Sequence, residues 1–220
     1  MGLVKKILIG VAVLFAGILV LGAILPSETK EQPTIPSAEQ ALPSYEVASR
    51  DESPLGNAQR FEIRAVTDFP VSEDQIKEIT ERIIEEQKGI ENFNAMVIFF
   101  YDRKELTYGA YSLAKATYAP DGDWSKAREV ETGDYSRHQT VYEFEDKVKD
   151  PEKYADKRPT EEEAKLCKAF DEMGVALTDP ASSEVLEDEE IASKVSEQTG
   201  ASVEEILDAA SKCAWWTSAM

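Results

Sequence analysis

The stretch Ala95–Tyr101, AMVIFFY, decides the fold. It is apolar without interruption and rich in aromatic and β-branched side chains, which is typical of a central strand covered on both faces. Upstream, Arg60–Val66 alternates, with Phe61, Ile63 and Ala65 on one face and charged residues on the other. Such alternation predicts a half-buried strand. Together the two segments predict a sheet with a packed core.

A helix is predicted between these two strands. Ser72 and Gln75 have the spacing of a capping box, in which each side chain bonds the main-chain N–H of the other residue. An apolar stripe then runs to about Lys88, just before Gly89. The stripe consists of Ile76, Ile79, Ile83 and Ile84. We therefore expect this helix to pack one face on the sheet and to turn its charged face to solvent.

Three further strands are predicted, over Tyr45–Ala48, Tyr108–Tyr118 and Gln139–Phe144. The turn-forming segments Pro120–Gly122 and Thr132–Asp134 separate the last two. The resulting order is β-β-α-β-β-β. Because most connections are short, we expect an α+β fold with an antiparallel or mixed sheet of about five strands and one packed helix.

Three segments of this region carry a resemblance: FNAMVIFFY at Phe93–Tyr101, YAPDGDW at Tyr118–Trp124 and GDY at Gly133–Tyr135. They resemble a family of small exported or membrane-anchored bacterial domains of unknown function. The resemblance covers about residues 45–144 and implies a compact α+β domain. It implies no catalytic residues.

A three-helix tail is predicted after the charged connector Lys147–Arg158. Capping boxes mark the starts of the first and third helices, and Gly174 is expected to end the first. The capping pairs are Thr160 with Glu163 and Ser202 with Glu205. The second helix is expected from Asp188 to about Gln198.

The N-terminus contains a predicted membrane span. Ile7–Leu25 is apolar or glycine throughout, close to the ~20 residues that cross a bilayer as a helix. Lys5 and Lys6 precede it, so the positive-inside rule predicts a cytoplasmic N-terminus and an extracytoplasmic C-terminal region. A secretory signal that is cleaved, with secretion of the rest, is the alternative. Pro26–Ser44 holds four prolines and predicts an extended linker.

These patterns divide the chain into four parts. They are a transmembrane signal anchor (1–25), a Pro-rich linker (26–44), an α+β domain (45–146) and a helical C-terminal region (147–220). We expect the protein to be single-pass and to contact the membrane through residues 7–25.

The charge balance excludes one class of partner. The chain has 24 Lys and Arg residues against 43 Asp and Glu residues, for a net charge of −19. A nucleic-acid binder needs a clustered basic face, and none is visible. The single histidine, His138, also excludes most His-rich metal sites.

The two cysteines are a candidate disulfide. Cys167 and Cys213 each fall on the apolar stripe of a predicted helix. Outside the cytoplasm two cysteines tend to pair. Two buried thiols are the main alternative, and catalytic use lacks the CxxC or neighbouring-His setting that activates a thiol.

A weak calcium candidate lies at Asp121, Asp123 and Ser125, whose oxygens alternate as at the start of a calcium loop. An EF-hand loop starting at Asp121 would also need Gly at Lys126 and Glu at Thr132. We therefore favour a solvated turn and expect no cofactor, with calcium as the one alternative.

His138 is the candidate general base, with Asp134 and Ser136 nearby in sequence. Sequence neighbours rarely form a catalytic triad, and the chain has no G-x-S-x-G nucleophile elbow. A polar residue at the start of a strand is the favoured interpretation. Carboxylate pairs of the glycosidase type depend on spatial separations that a sequence does not show.

The sequence favours a noncatalytic binding or scaffolding module at the cell envelope, with a protein partner. The absence of a phosphate loop, a His cluster and a nucleophile motif carries this prediction, together with the anchored, acidic domain. The alternative is an extracytoplasmic hydrolase that uses carboxylates, with or without His138.

Overall fold

The computed structural model describes residues 43–178 and 187–217. Its strands are β1 (Tyr45–Glu52), β2 (Arg60–Thr67), β3 (Ala95–Tyr101), β4 (Ala114–Pro120) and β5 (His138–Phe144). Its α-helices are α1 (Glu73–Ile90), α2 (Asp146–Lys149), α3 (Pro151–Tyr154), α4 (Glu161–Leu177), α5 (Asp188–Thr199) and α6 (Val203–Thr217). Short 3₁₀ helices span Lys104–Leu106, Trp124–Glu129 and Ala155–Lys157.

The predicted membrane segment (7–25) lies outside the described residues, as does most of the predicted linker (26–44). Among the residues that the structure describes, no helix is long and apolar enough to cross a membrane.

The five strands form one mixed sheet in the order β1-β2-β3-β4-β5. β2 and β3 are parallel, because α1 connects them and returns the chain to the starting end of the sheet. The other three neighbouring pairs are antiparallel. The predicted α+β class with a five-stranded mixed sheet is confirmed, and the strands follow the predicted order around α1.

The main core lies between the sheet and α1. β2 alternates as the sequence predicts, and Phe61 faces Met96 of β3 in the parallel register. The isoleucine stripe of α1 is buried against this face, which we call the helix face. The Ser72–Gln75 capping box forms in both directions and sets the start of α1. The apolar stripe of α1 therefore packs against one side of the sheet.

Several element boundaries predicted from the sequence are wrong. The strand predicted over Tyr45–Ala48 continues to Glu52, and α1 continues past Gly89 to Ile90. The strand predicted over Tyr108–Tyr118 begins only at Ala114, because the preceding residues turn back at Gly109. There the carbonyl of Gly109 accepts a hydrogen bond from the Tyr101 hydroxyl (3.0 Å). The first tail helix continues past Gly174 to Leu177, and the Gly174 carbonyl accepts the N–H of Thr178 (3.1 Å).

The connector Lys147–Arg158 is also more ordered than its charge predicts. Its residues take part in α2, α3 and a 3₁₀ turn, and Pro151 occupies the first turn of α3, where its missing N–H has no helical partner to lose. The three longer tail helices pack on one another through a small core. That core contains Ala192, Val195 and Ile206.

Candidate binding surface

The outer edge of β5 carries main-chain groups that have no partner among the described residues. β5 is the last strand of the sheet and pairs only with β4 in the described part of the chain. The N–H of Glu145 donates to the carbonyl of Leu113 (3.0 Å), so odd-numbered residues bond toward β4. Main-chain groups alternate in direction along an antiparallel strand. The N–H and C=O groups of Thr140, Tyr142 and Phe144 therefore point away from the sheet.

The opposite edge strand, β1, is blunted. A bulge interrupts its register between Val47 and Ser49. Four of its eight residues are charged, namely Glu46, Arg50, Asp51 and Glu52. β5 keeps an unbroken register over seven residues and has one carboxylate, that of Glu143. Bulges and charges are the features that protect strand edges from further pairing. β5 is thus the edge that is better able to accept another strand.

Aromatic rings flank the outer edge of β5 on its helix face. The rings of Tyr142 and Phe144 stack at 5.6 Å and are partly buried. Lys77 of α1 lies 5.8 Å from the Phe144 ring. On the other face, Val141 is 45% exposed. We call the outward main chain of Thr140, Tyr142 and Phe144, with the Val141 side chain, the β5 edge surface.

His138 lies at the start of β5 inside an aromatic cluster. The rings of Tyr118 and Tyr135 lie 4.8 and 5.2 Å from the imidazole. Nε2 lies 2.9 Å from the carbonyl oxygen of Asn94, which assigns the proton to Nε2. Nδ1 is buried and has no hydrogen-bond partner among the described residues. Burial lowers the pKa of His138, and the charge of Lys88 adds to that effect.

In this environment neither ring nitrogen of His138 bonds a carboxylate or a nucleophile among the described residues. Its Nε2 proton is committed to a main-chain carbonyl. The carboxylate of Asp134 accepts the N–H of Ser136 (3.0 Å), so these two sequence neighbours bond to each other in the turn. The geometry is that of a neutral, packed imidazole, because a triad needs an acid on one ring nitrogen and a nucleophile on the other.

The three calcium candidates lie together in the connection between β4 and β5. Arg137 and Lys126 (3.1 Å) donate to the carboxylate of Asp121, and these bonds, that of Arg137 most, lower its pKa to about 2. The carboxylate of Asp123 accepts the N–H (2.9 Å) and hydroxyl (2.6 Å) of Ser125. No group of three potential metal-ligating side chains occurs within the described ranges. The segment has the contacts of an ion-paired turn.

Cys167 on α4 and Cys213 on α6 form a disulfide in the structure. The two sulfur atoms lie 2.06 Å apart and the Cα atoms 6.4 Å apart. Both residues are buried. The bridge fastens the first and last helices of the tail to each other.

A buried polar junction lies at Asp102, directly after β3, and no sequence pattern predicts it. Its carboxylate accepts hydrogen bonds from the Ser112 hydroxyl (2.7 Å), the Trp216 indole (2.9 Å) and the Arg158 guanidinium (2.7 Å). These partners are 10, 114 and 56 positions away, and no local motif links them. Asp102 thus joins the sheet, a loop, the connector and the last helix.

A second buried charge lies beside this junction. Lys147 donates to the main-chain carbonyl of Trp216 and lies 5.0 Å from its ring, with Glu145 at 3.8 Å. Burial lowers the pKa of Lys147 and raises that of Glu145. Such shifts often mark active sites. Here the side chain of Lys147 is enclosed and bonded to the main chain, which is a structural role.

Two grooves of about 840 and 690 Å³ are lined mainly by the helical tail, the second also by Tyr108 and Gly109, and His138 lines neither of them. The larger one is lined by several carboxylates, but Glu163 accepts hydrogen bonds from Lys212 (2.8 Å) and caps α4. Glu205 likewise bonds Ser202 at the start of α6. These acids serve as helix caps and ion-pair partners.

Comparisons of the chain with protein-family models, with curated proteins and with solved structures found no match. The resemblance of residues 45–144 to bacterial domains of unknown function stays a prediction.

Proposed function

We propose that this protein is a noncatalytic binding module at the cell envelope and that it engages a protein partner along the β5 edge surface. The open edge of β5 carries the proposal. An exposed edge offers a row of main-chain donors and acceptors to an incoming extended segment, which is a common mode of peptide recognition. On the opposite edge, the bulge between Val47 and Ser49 interrupts the corresponding row of β1, and half of the strand's residues are charged.

The environment of the titratable groups supports binding over catalysis. His138 is packed between two tyrosines with its Nε2 on a main-chain carbonyl. The carboxylates of Glu163 and Glu205 accept hydrogen bonds from main-chain N–H groups at helix starts. A hydrolase would need such groups to converge on a cavity that admits substrate.

The envelope location rests on residues 7–25 and the two lysines before them. The disulfide between Cys167 and Cys213 agrees with this location, because disulfides persist in oxidising compartments. In this arrangement the sheet and the tail are extracytoplasmic.

Site-specific photocrosslinking in the native membrane tests the binding proposal. A photoreactive residue replaces Val141, which is 45% exposed on the β5 edge surface, and in a matched control it replaces Val175, which is 79% exposed in the tail. We expect a discrete crosslinked partner from position 141 only. Equal crosslinking from both positions, or no partner together with turnover of an ester or polysaccharide that His138→Ala abolishes, would contradict the proposal.

Cysteine labelling tests the orientation. In Val175→Cys the new thiol is exposed while Cys167 and Cys213 remain bridged. We expect a membrane-impermeant maleimide to label this variant on intact spheroplasts. Labelling only after the membrane is permeabilised would reverse the proposed topology.

A further inference from the structure

We infer that the partner at the β5 edge surface is an extended polypeptide segment of net positive charge, with apolar side chains at every second position, that adds to the sheet as a sixth strand. This inference rests on the proposed function. It specifies the chemistry of the partner, which the proposed function leaves open.

The spacing of the main-chain groups of β5 requires the partner segment to be extended. Outward N–H and C=O groups recur at Thr140, Tyr142 and Phe144, at every second residue. Only a strand matches that repeat, because its own main-chain groups alternate with the same period.

The side chains on the helix face favour a partner segment with an apolar side chain at every second position. Every second residue of an added strand would face the same side as Tyr142 and Phe144, whose stacked rings remain partly exposed. Cross-strand contacts with aromatic rings favour apolar or β-branched neighbours. The intervening residues would lie beside Val141 and Glu143 on the other face.

The charged side chains near the β5 edge surface favour a partner segment of net positive charge. Three lysines in this part of the molecule form ion pairs within the chain: Lys77 with Asp74 (3.0 Å), Lys88 with Glu85 (2.8 Å) and Lys115 with Glu143 (2.7 Å). Their charges are therefore compensated without an acidic partner.

Glu81 is an acid near this edge that has no ion pair among the described residues, and Glu73, beside Lys77 on the same helix, is another. Glu81 is exposed on α1, and its charge, after burial, is the next cause that raises the pKa of Tyr142. A basic side chain of the partner would complement Glu81. The net charge of −19 favours the same sign at long range.

That net charge also disfavours a second copy of this chain, since two β5 edges would meet between molecules that repel each other. Pairing of two copies is therefore an outcome that the test must distinguish.

The test uses the full-length chain in nanodiscs of neutral phosphatidylcholine. The probes are two capped octapeptides, one of alternating Lys and Val and one of alternating Glu and Val. We expect the Lys–Val peptide to bind at least about tenfold more tightly. We also expect it to slow hydrogen exchange at the N–H groups of Thr140, Tyr142 and Phe144. Equal binding of the two peptides, or binding without this protection, overturns the inference.

Two pairs of variants locate the binding. Thr140→Pro removes one outward N–H, a change that edge strands tolerate, whereas Thr140→Val keeps it. We expect about fivefold weaker peptide binding for T140P and less than twofold for T140V, because one hydrogen bond contributes about 1 kcal/mol. Glu81→Gln should weaken binding about two- to threefold at low salt, and Glu204→Gln in α6 should not. Equal effects within either pair contradict the inference.

The outcomes separate this inference from the proposed function. If neither peptide binds while position 141 still crosslinks a protein partner, the partner chemistry is wrong and the binding function stands. If position 141 crosslinks a second copy of the chain, self-association replaces the basic segment. If peptides and crosslinking both fail, the proposed function fails as well. Should T140P not fold, the exchange measurement on the unaltered chain decides.

Discussion

The sheet and the helical tail are stabilised by different kinds of contact. α1, with 18 residues, buries six of them: Ile76, Ile79, Thr80, Ile83, Ile84 and Gln87. α4, with 17 residues, buries only Ala164 and Cys167. The tail compensates with a disulfide and with the buried hydrogen bonds at Asp102.

This difference shows where specificity resides in each part. Apolar burial is spread over many side chains in the sheet, so its register follows from the alternating pattern. The position of the tail depends on a few directional contacts between distant residues. Substitutions should therefore have graded effects in the sheet and concentrated effects at single positions in the tail.

The largest effect is expected from truncation in the sheet core. Phe100 of β3 is fully buried on the helix face, so Phe100→Ala should lower the free energy of unfolding by about 3–5 kcal/mol. Val141→Ala, at an exposed position of β5, should change it by less than about 0.5 kcal/mol. Urea denaturation measures both, and similar values for the two variants would refute the packing described.

Loss of the disulfide should have the next largest effect and should act on the tail. A bridge between residues 46 positions apart stabilises by about 2–4 kcal/mol through the unfolded chain. In the double variant Cys167→Ala, Cys213→Ala we expect faster amide hydrogen exchange in α6 and preserved protection in β3. Dithiothreitol should reproduce this change in the unaltered chain and leave the double variant unaffected. Equal loss of protection in both regions would show that the tail and the sheet unfold as one unit.

Two adjacent tryptophans provide a smaller and more local test. Trp216→Phe removes the indole donor to the buried carboxylate of Asp102 and should lower the free energy of unfolding by about 1–3 kcal/mol. Trp215 is 37% exposed and stacks on Tyr154, so Trp215→Phe should have little effect. Equal effects in urea denaturation would show that the polar junction does not hold the tail.

The smallest effect is expected from pH, in the sheet. Because burial lowers the pKa of His138 below its ordinary value of 6.5, the unfolded chain binds more protons at this residue in the window just below 6.5. Stability is therefore lost as the pH falls through that window. His138→Gln should remove this part of the pH dependence in denaturant titrations between pH 7 and 5. A variant with the same slope as the unaltered chain would assign the dependence to other groups.

Most of the sheet was predictable because its signals are local. The run AMVIFFY and the alternation in Arg60–Val66 depend only on neighbouring residues, and both form strands. The capping boxes at Ser72, Thr160 and Ser202 also form as predicted, since each needs only residues three positions apart.

The candidate surface was not predictable at the level of residues. The alternating pattern in Gln139–Phe144 predicts a strand but not that this strand is an edge, because strand order depends on pairings between distant segments. The Asp102 junction has the same origin, with partners up to 114 positions away. The strand predicted over Tyr108–Tyr118 starts too early because the turn before Ala114 contains tyrosines, which are also common in strands.

The sequence by itself determined the elements that repeat with a short period: the strands, the amphipathic helices and their capped starts. It also set the acidic surface. Only the tertiary structure decided that β2 and β3 run parallel, that β5 is an edge strand within the described ranges and that Trp216 bonds Asp102. The physical reason is that local periodicity specifies which face of an element is apolar, whereas long-range packing selects which element that face meets.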